Sequence, residues 1–151
     1  MAAKKDIVAS YAEAVREAGL TPVVIDVDYF ALENMYETNY VAAPERAIAL
    51  VNMGARYSSI NILKGGRSTF TGDVPVGGRG ISEALMRDLN LEVNEAEALK
   101  AGGSSDKVSP EQAAAVTSSA ASALIEEIHH ALSFFWTAAT DETIDAVFVS
   151  G

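Results

Sequence analysis

The stretch that most constrains this chain is Ala47 to Gly66, AIALVNMGARYSSINILKGG. The apolar run Ile48-Ala49-Leu50-Val51 feeds a tight polar turn, Asn52-Met53-Gly54-Ala55, and a second run, Ser58 to Leu63, leaves it. That run ends at Lys64-Gly65-Gly66-Arg67, where two adjacent glycines supply the backbone of a hairpin reversal. Gly54 admits two readings. It is the bend of an ordinary β-hairpin, or it lets the backbone approach a ligand closely because no Cβ intervenes. In the second reading the small residues Ala55, Ser58 and Ser59 leave room, and their hydroxyls and amides face an anion.

At 151 residues the default is one domain, with two small lobes as the alternative. A hydrophobic fraction of 49% supports a substantial core and argues against disorder. With 21 acidic against 11 basic residues the net charge is −10, so bulk electrostatics draw the chain neither to nucleic acid nor to anionic lipid. Any phosphate must then be held by backbone amides, a local Lys or Arg, or a metal ion. The chain has no cysteine, which excludes disulfides and thiolate metal sites within it and fits the cytosol. No apolar leader stands at the N-terminus, and no run approaches the roughly 18 apolar residues of a membrane span.

In chain order, Asp6 is the expected cap of a helix carrying Ile7, Val8, Tyr11, Ala12 and Val15, with Gly19 as the residue just past its end. Val23-Val24-Ile25-Asp26-Val27 reads as a strand buried on both faces. Asp28 is the expected cap of a short helix through Tyr36; with Asp26 it also has the form of a carboxylate pair, though a strand-end acid and a helix cap explain both. Asn39 to Glu45, with Pro44, is a connector and divides the chain into residues 1–42 and 43–151. Beyond the hairpin, Ser68 to Thr71 forms a third strand. Gly77-Gly78-Arg79-Gly80 then opens a helix from Ile81 to Leu89, a flexible link or a loop whose N–H groups favour anions.

Leu91 to Leu99 reads as an acidic helix with a solvated face, and AGGSSD at 101–106 as an exposed loop. Ser109-Pro110-Glu111-Gln112 carries the cap, the first-turn proline and the capping box of a long helix reaching about Thr137. Its expected apolar stripe is Leu124, Ile125, Ile128, Leu132 and Phe135, with Trp136 at the edge. His129 and His130 are adjacent and point about 100° apart on a helix, which suits structural roles rather than one shared metal. Ile144 to Val149 reads as a buried strand running into Ser150-Gly151. A strand that ends in Ser-Gly with nothing after it, and a first helix with nothing before it, suggest a chain cut at both ends.

The order of these pieces resembles the second half of the actin-like ATPase superfamily. They are a hairpin with an N/D-x-G-A turn, a Gly-Gly-Arg loop opening a helix, a long helix, and a strand ending V-F-V-S-G. More narrowly the chain is similar to the PilM family of pilus-assembly proteins, relatives of the cell-division protein FtsA. The resemblance implies an α/β, ribonuclease H-like fold. Residues 1–42 would be the end of the first lobe, subdomains 1C and 1A. Residues 43–151 would be most of subdomains 2A and 2B, truncated in the adenosine loop.

It further implies that Asn52, Met53, Gly54 and Ala55 form the second phosphate loop, usually D-I-G-A, with Ser58 behind them, Gly77 and Gly78 nearby, and Ser150 and Gly151 opening the adenosine loop. The implied ligand is ATP with Mg²⁺ in the intact protein. Asn52 replaces the family's aspartate, so the charge that organises the metal and the attacking water is missing. Binding is expected, efficient hydrolysis is not, and no catalytic residue is assigned. The implied partners are the cytoplasmic tail of a PilN-like inner-membrane protein, other pilus assembly proteins and motor ATPases, with homo-oligomers also compatible. The implied place is the cytoplasm, reaching the inner membrane through partners. The alternatives are an FtsA-like division protein, a sugar-kinase-like or chaperone-like ATPase of the same superfamily, and a globular interaction domain without a nucleotide.

Overall fold

The computed structural model describes residues 3–41, 45–138 and 143–151, with the backbone alone at 134–138. In chain order the elements are α1 (Lys5–Glu17), α2 (Asp28–Asn39), β1 (Ile48–Met53), β2 (Ser58–Lys64), β3 (Arg67–Val74), α3 (Arg79–Leu89), α4 (Val93–Lys100), α5 (Pro110–Ala138) and β4 (Ala146–Ser150). The strands form one mixed sheet in the order β3-β2-β1-β4. The two hairpins are antiparallel, and β1 pairs in parallel with β4, Asn52 standing opposite Ser150. A parallel pair needs a crossover, and α3, α4 and α5 supply it.

The apolar runs of the first hairpin are explained by burial on both faces. On one face Ala49, Val51, Ile60, Ile62 and Val74 pack with Leu132 and Ile128 of α5. On the other, Ile48, Leu50 and Leu63 pack with Tyr36 and Leu32 of α2 and with Phe148 of β4. Gly65 and Gly66 turn the second hairpin at φ 62° and 69°, a conformation that costs glycine no steric penalty. The third strand is longer than the four residues expected, because its far end, at Asp73 and Val74, stays in register with Ser59 and Ser58.

Two caps follow the sequence. At α5 the Ser109 Oγ accepts from the Gln112 N–H at 3.3 Å, while the Gln112 Oε1 accepts from the Ser109 N–H at 3.1 Å. At the end of α1, Gly19 adopts φ 79°; its N–H donates to the Arg16 carbonyl and that of Leu20 to the Val15 carbonyl, closing a Schellman turn. Other details differ. The N-cap of α1 is Lys4 rather than Asp6, which lies in the first turn where its charge suits the helix dipole. The N-cap of α2 is Val27, and Asp28 accepts only from its neighbour Tyr29. The acidic segment becomes helical only at Val93, after a capping box between Glu92 and Glu95. Ile125, expected in the α5 stripe, is 63% exposed, because the helix presents Ile128 and Leu132 to the sheet instead. The Phe135 and Trp136 side chains lie outside the described residues, as does the centre of the 39–45 connector.

The largest difference is at Val23 to Val27. This run is not a sheet strand: among the described residues no strand pairs with it, and Val23 and Val24 are 88% and 77% exposed. Its composition suits a doubly buried strand, but burial requires neighbours on both sides, and none of the four strands supplies one. The terminal strand β4 also differs from its buried reading. Among the described residues it stands at the edge of the sheet, with Val147 and Val149 more than half exposed.

Helix α2 is held to the sheet by a polar and an aromatic contact. The fully buried Asn61 donates to the Tyr29 carbonyl at 3.1 Å and accepts from Ser68 at 2.6 Å. Tyr36 stacks on Tyr40 at 5.2 Å and meets Phe148 edge-on at 5.0 Å. Tyr36→Ala empties the centre of this contact and is expected to cost about 3 kcal/mol of stability, read as a lowered urea midpoint with unchanged slope.

Candidate functional site

Strand β1 ends at Asn52 and Met53, and its parallel neighbour β4 ends at Ser150. In open α/β sheets ligands gather beyond the carboxyl ends of such strands, where backbone groups leave the ladder. Here the residues that the sequence singled out meet. The Ser150 Oγ donates to the Asn52 Oδ1 at 3.2 Å across the parallel pair. Gly151 follows at φ 135°, so close to β1 that a Cβ there would lie 2.1 Å from the Met53 carbonyl oxygen. Only glycine fits.

The turn after β1 closes on itself and on α3. The Gly54 N–H donates to the Tyr57 carbonyl at 3.1 Å, and a Cβ on Gly54 would lie 2.7 Å from that oxygen. The turn alone therefore explains this glycine. The Gly54 carbonyl accepts from the Gly78 N–H at 2.9 Å, and the Ala55 carbonyl from the Arg79 N–H at 2.8 Å. The Gly78 and Arg79 amides at the head of α3 are thus spent on the hairpin turn, which removes these two as donors to an anion. Gly77 sits against the same turn, and a Cβ there would fall 2.3 Å from the Gly54 oxygen.

The two serines after the turn have different places. Ser58 is fully buried and its Oγ donates to the Val76 carbonyl at 2.9 Å, tying the hairpin to the loop before α3. It faces protein. Ser59 stands beside Asn52 on one side and Asp73 on the other, and its buried hydroxyl has no hydrogen-bond partner among the described residues. An orphaned buried hydroxyl costs on the order of 1–3 kcal/mol, and among the described residues this is the one buried side-chain polar atom left without a partner.

Two side chains to which the sequence reading gave no site role, Tyr29 and Glu97, make polar contacts. Tyr29 hydrogen-bonds Asp73; burial first, then the bond to and charge of Asp73, hold its phenol above the ordinary range. Glu97, read as solvated, instead joins α4 to α3. The buried Ser82 Oγ donates to its Oε1 at 2.5 Å, and the Lys100 Nζ pairs with its Oε2 at 2.6 Å and donates to Ser82 at 2.9 Å. The bond to Lys100 first, then that to Ser82, holds the Glu97 carboxyl below its usual range. The three-residue Glu97–Lys100 spacing was the available signal. Among the described residues no group of His, Asp and Glu side chains is placed to hold a metal ion. None of the helices there is long and apolar enough to cross a membrane.

A paired substitution measures the tightness of the turn. Gly77→Ala drives a Cβ into backbone and is expected to lower stability by about 1–3 kcal/mol or more. Gly80→Ala, where a Cβ meets nothing within 4 Å inside α3, should raise it by up to about 1 kcal/mol. Urea denaturation of both variants checks the contrast.

Comparison with known proteins places this geometry. A family profile described as "Type IV pilus assembly protein PilM" matches residues 1–151. The chain is similar to the structure of a "PilM-PilN type IV pilus biogenesis complex", with 27% identity, a TM-score of 0.79, and coverage of 99% of this chain and 42% of that one. It also resembles the ethanolamine utilization protein EutJ from Carboxydothermus hydrogenoformans, with 22% identity, a TM-score of 0.62, and coverage of 91% and 46%. The chain thus spans less than half the length of either structure. Its fold is that of the actin-like ATPases, and the chain belongs to the PilM family of type IV pilus assembly proteins.

Proposed function

We propose that this chain is part of a nucleotide-binding, actin-like scaffold of type IV pilus assembly, which holds a PilN-like tail and links the inner-membrane proteins to the assembly motor from the cytoplasm. Residues 1–42 belong on this reading to the first lobe and residues 43–151 to the second. The observation that carries the nucleotide reading is the meeting of Asn52, Ser150 and Gly151 at the carboxyl ends of two adjacent parallel strands. The donors on β1, β2 and β4 are neutral, namely the Asn52 amide, the Ser150 hydroxyl and the Ser59 hydroxyl, while the Asp73 carboxylate across from Ser59 is bonded to Tyr29. Such neutral groups fit phosphate oxygens by hydrogen bonding, and they offer no carboxylate to a metal. A bound nucleotide would bring Mg²⁺ with its phosphates, while Asn52 would orient an oxygen without withdrawing a proton from water. That chemistry suits a nucleotide held as a structural signal more than one turned over.

The groove between α1 and the exposed run after it supports the partner reading. It encloses about 560 Å³, and Val8, Ala12, Val23 and Val24 line it with Lys5 and Arg16. The backbone at Val23 to Ile25, which pairs with no strand among the described residues, and its exposed valines suit an added peptide segment. The similar PilM structure is that of a complex with PilN.

Calorimetry on the intact protein tests both halves. ATP·Mg²⁺ is expected to bind the wild type with little turnover, and Asn52→Asp to raise hydrolysis at least tenfold while the circular dichroism stays unchanged. Absence of ATP heat in both proteins overturns the nucleotide reading. For the partner, a synthetic PilN-type cytoplasmic tail should bind the wild type and bind Val24→Asp at least tenfold more weakly. Val24 is exposed, so its substitution leaves the core alone. Equal binding by the two proteins removes the groove from the reading.

A further inference from the structure

A second cleft opens between α3 and α5, beside the hairpin turn. It encloses about 800 Å³. Its floor is apolar, from Ile81 and Ala84 on α3 and Val116, Ala120 and Leu124 on α5. Small residues on both helices, Gly80 and Ala84 against Ala120 and Ala123, leave a trough along the helices where longer side chains would have closed it. No element among the described residues covers it.

The two rims differ in charge. On α3 the arginines are already neutralised within the helix, Arg79 by Glu83 at 2.9 Å and Arg87 by Asp88 at 2.8 Å. On α5, Glu126 and Glu127 line the cleft, are exposed, and have no ion pair among the described residues. At the turn end Arg56 lines it, likewise exposed and unpaired among the described residues. A long apolar trough with an acidic rim matches an amphipathic helix whose apolar stripe fills the floor and whose flank is basic. A phosphate-bearing ligand fits less well, because two of the three arginines here are already paired and the opposite rim would repel it.

We propose that the cleft between α3 and α5 is a docking groove for an amphipathic helix of a partner protein, whose Lys- or Arg-bearing edge faces Glu126 and Glu127 and whose acidic end faces Arg56. The groove is separate from the one proposed for the PilN-like tail, and the proposal does not depend on nucleotide binding.

The test selects helical peptides from a displayed library on the intact protein and measures their affinity by fluorescence anisotropy. The expected binders repeat apolar residues at three- and four-residue spacing and carry Lys or Arg along one edge. They should bind Glu126→Lys/Glu127→Lys at least tenfold more weakly and lose binding to Ala123→Trp, which fills the trough. All three positions are exposed, and circular dichroism checks that the variants fold. Selected peptides without a basic edge, or with equal affinity for the charge-reversed variant, overturn the proposal, as does a failure to select any. A self-dimer in sedimentation that the charge reversal dissolves overturns it as well, because the groove then belongs to a second copy of the chain.

Discussion

The clasp between the first hairpin turn and the start of α3 organises the candidate site. Two carbonyls of the turn, on Gly54 and Ala55, accept from two amides at the head of the helix, on Gly78 and Arg79. A turn's outward carbonyls and a helix's first amides are both groups that regular structure leaves unsatisfied. Joining them satisfies both at once and brings two backbones closer than any side chain allows. The bond from Ser58 to Val76 fastens the same joint from beneath.

Around that joint the sheet has unequal faces. The α5 face is apolar where the helix covers it, whereas the α2 face mixes Leu50 and Leu63 with buried Asn61 and the orphaned Ser59. Buried polar groups are tolerated when each finds a partner. Asn61 does so with Tyr29 and Ser68, and in doing so it fixes the place of α2. Ser59 does not, which sets it apart in a face that is otherwise satisfied. The same face carries Asn52, so the unspent hydroxyl lies beside the carboxyl end of β1.

Apolar side chains are left exposed at Val23 to Ile25 and on β4, as elsewhere on the surface. The two proposed grooves, beside α1 and between α3 and α5, have different chemistry. One has basic side chains at its wall and a run of valines in no strand; the other has helical walls and an acidic rim. Surfaces this unlike favour different ligands, because specificity rests on differences of affinity.

The hairpins, the two-glycine reversal, the capping box of α5, the glycine after α1 and the helix behind Gly77 were legible in the sequence. Each is settled by chemistry within a few residues: a positive φ, a hydroxyl reaching the third amide, a period of two or of 3.6. The resemblance to the actin-like superfamily was legible in the order of those pieces. Only the tertiary structure decided what each side chain faces. It turned Ser58 inward and left Ser59 without a partner among the described residues, spent the Gly78 and Arg79 amides on the turn, and drew Glu97 into a bond with Ser82. Among the described residues it left Val23 to Val27 outside the sheet and set β4 at the sheet's edge. Those outcomes depend on which segments meet across long stretches of chain, and no local pattern carries that information.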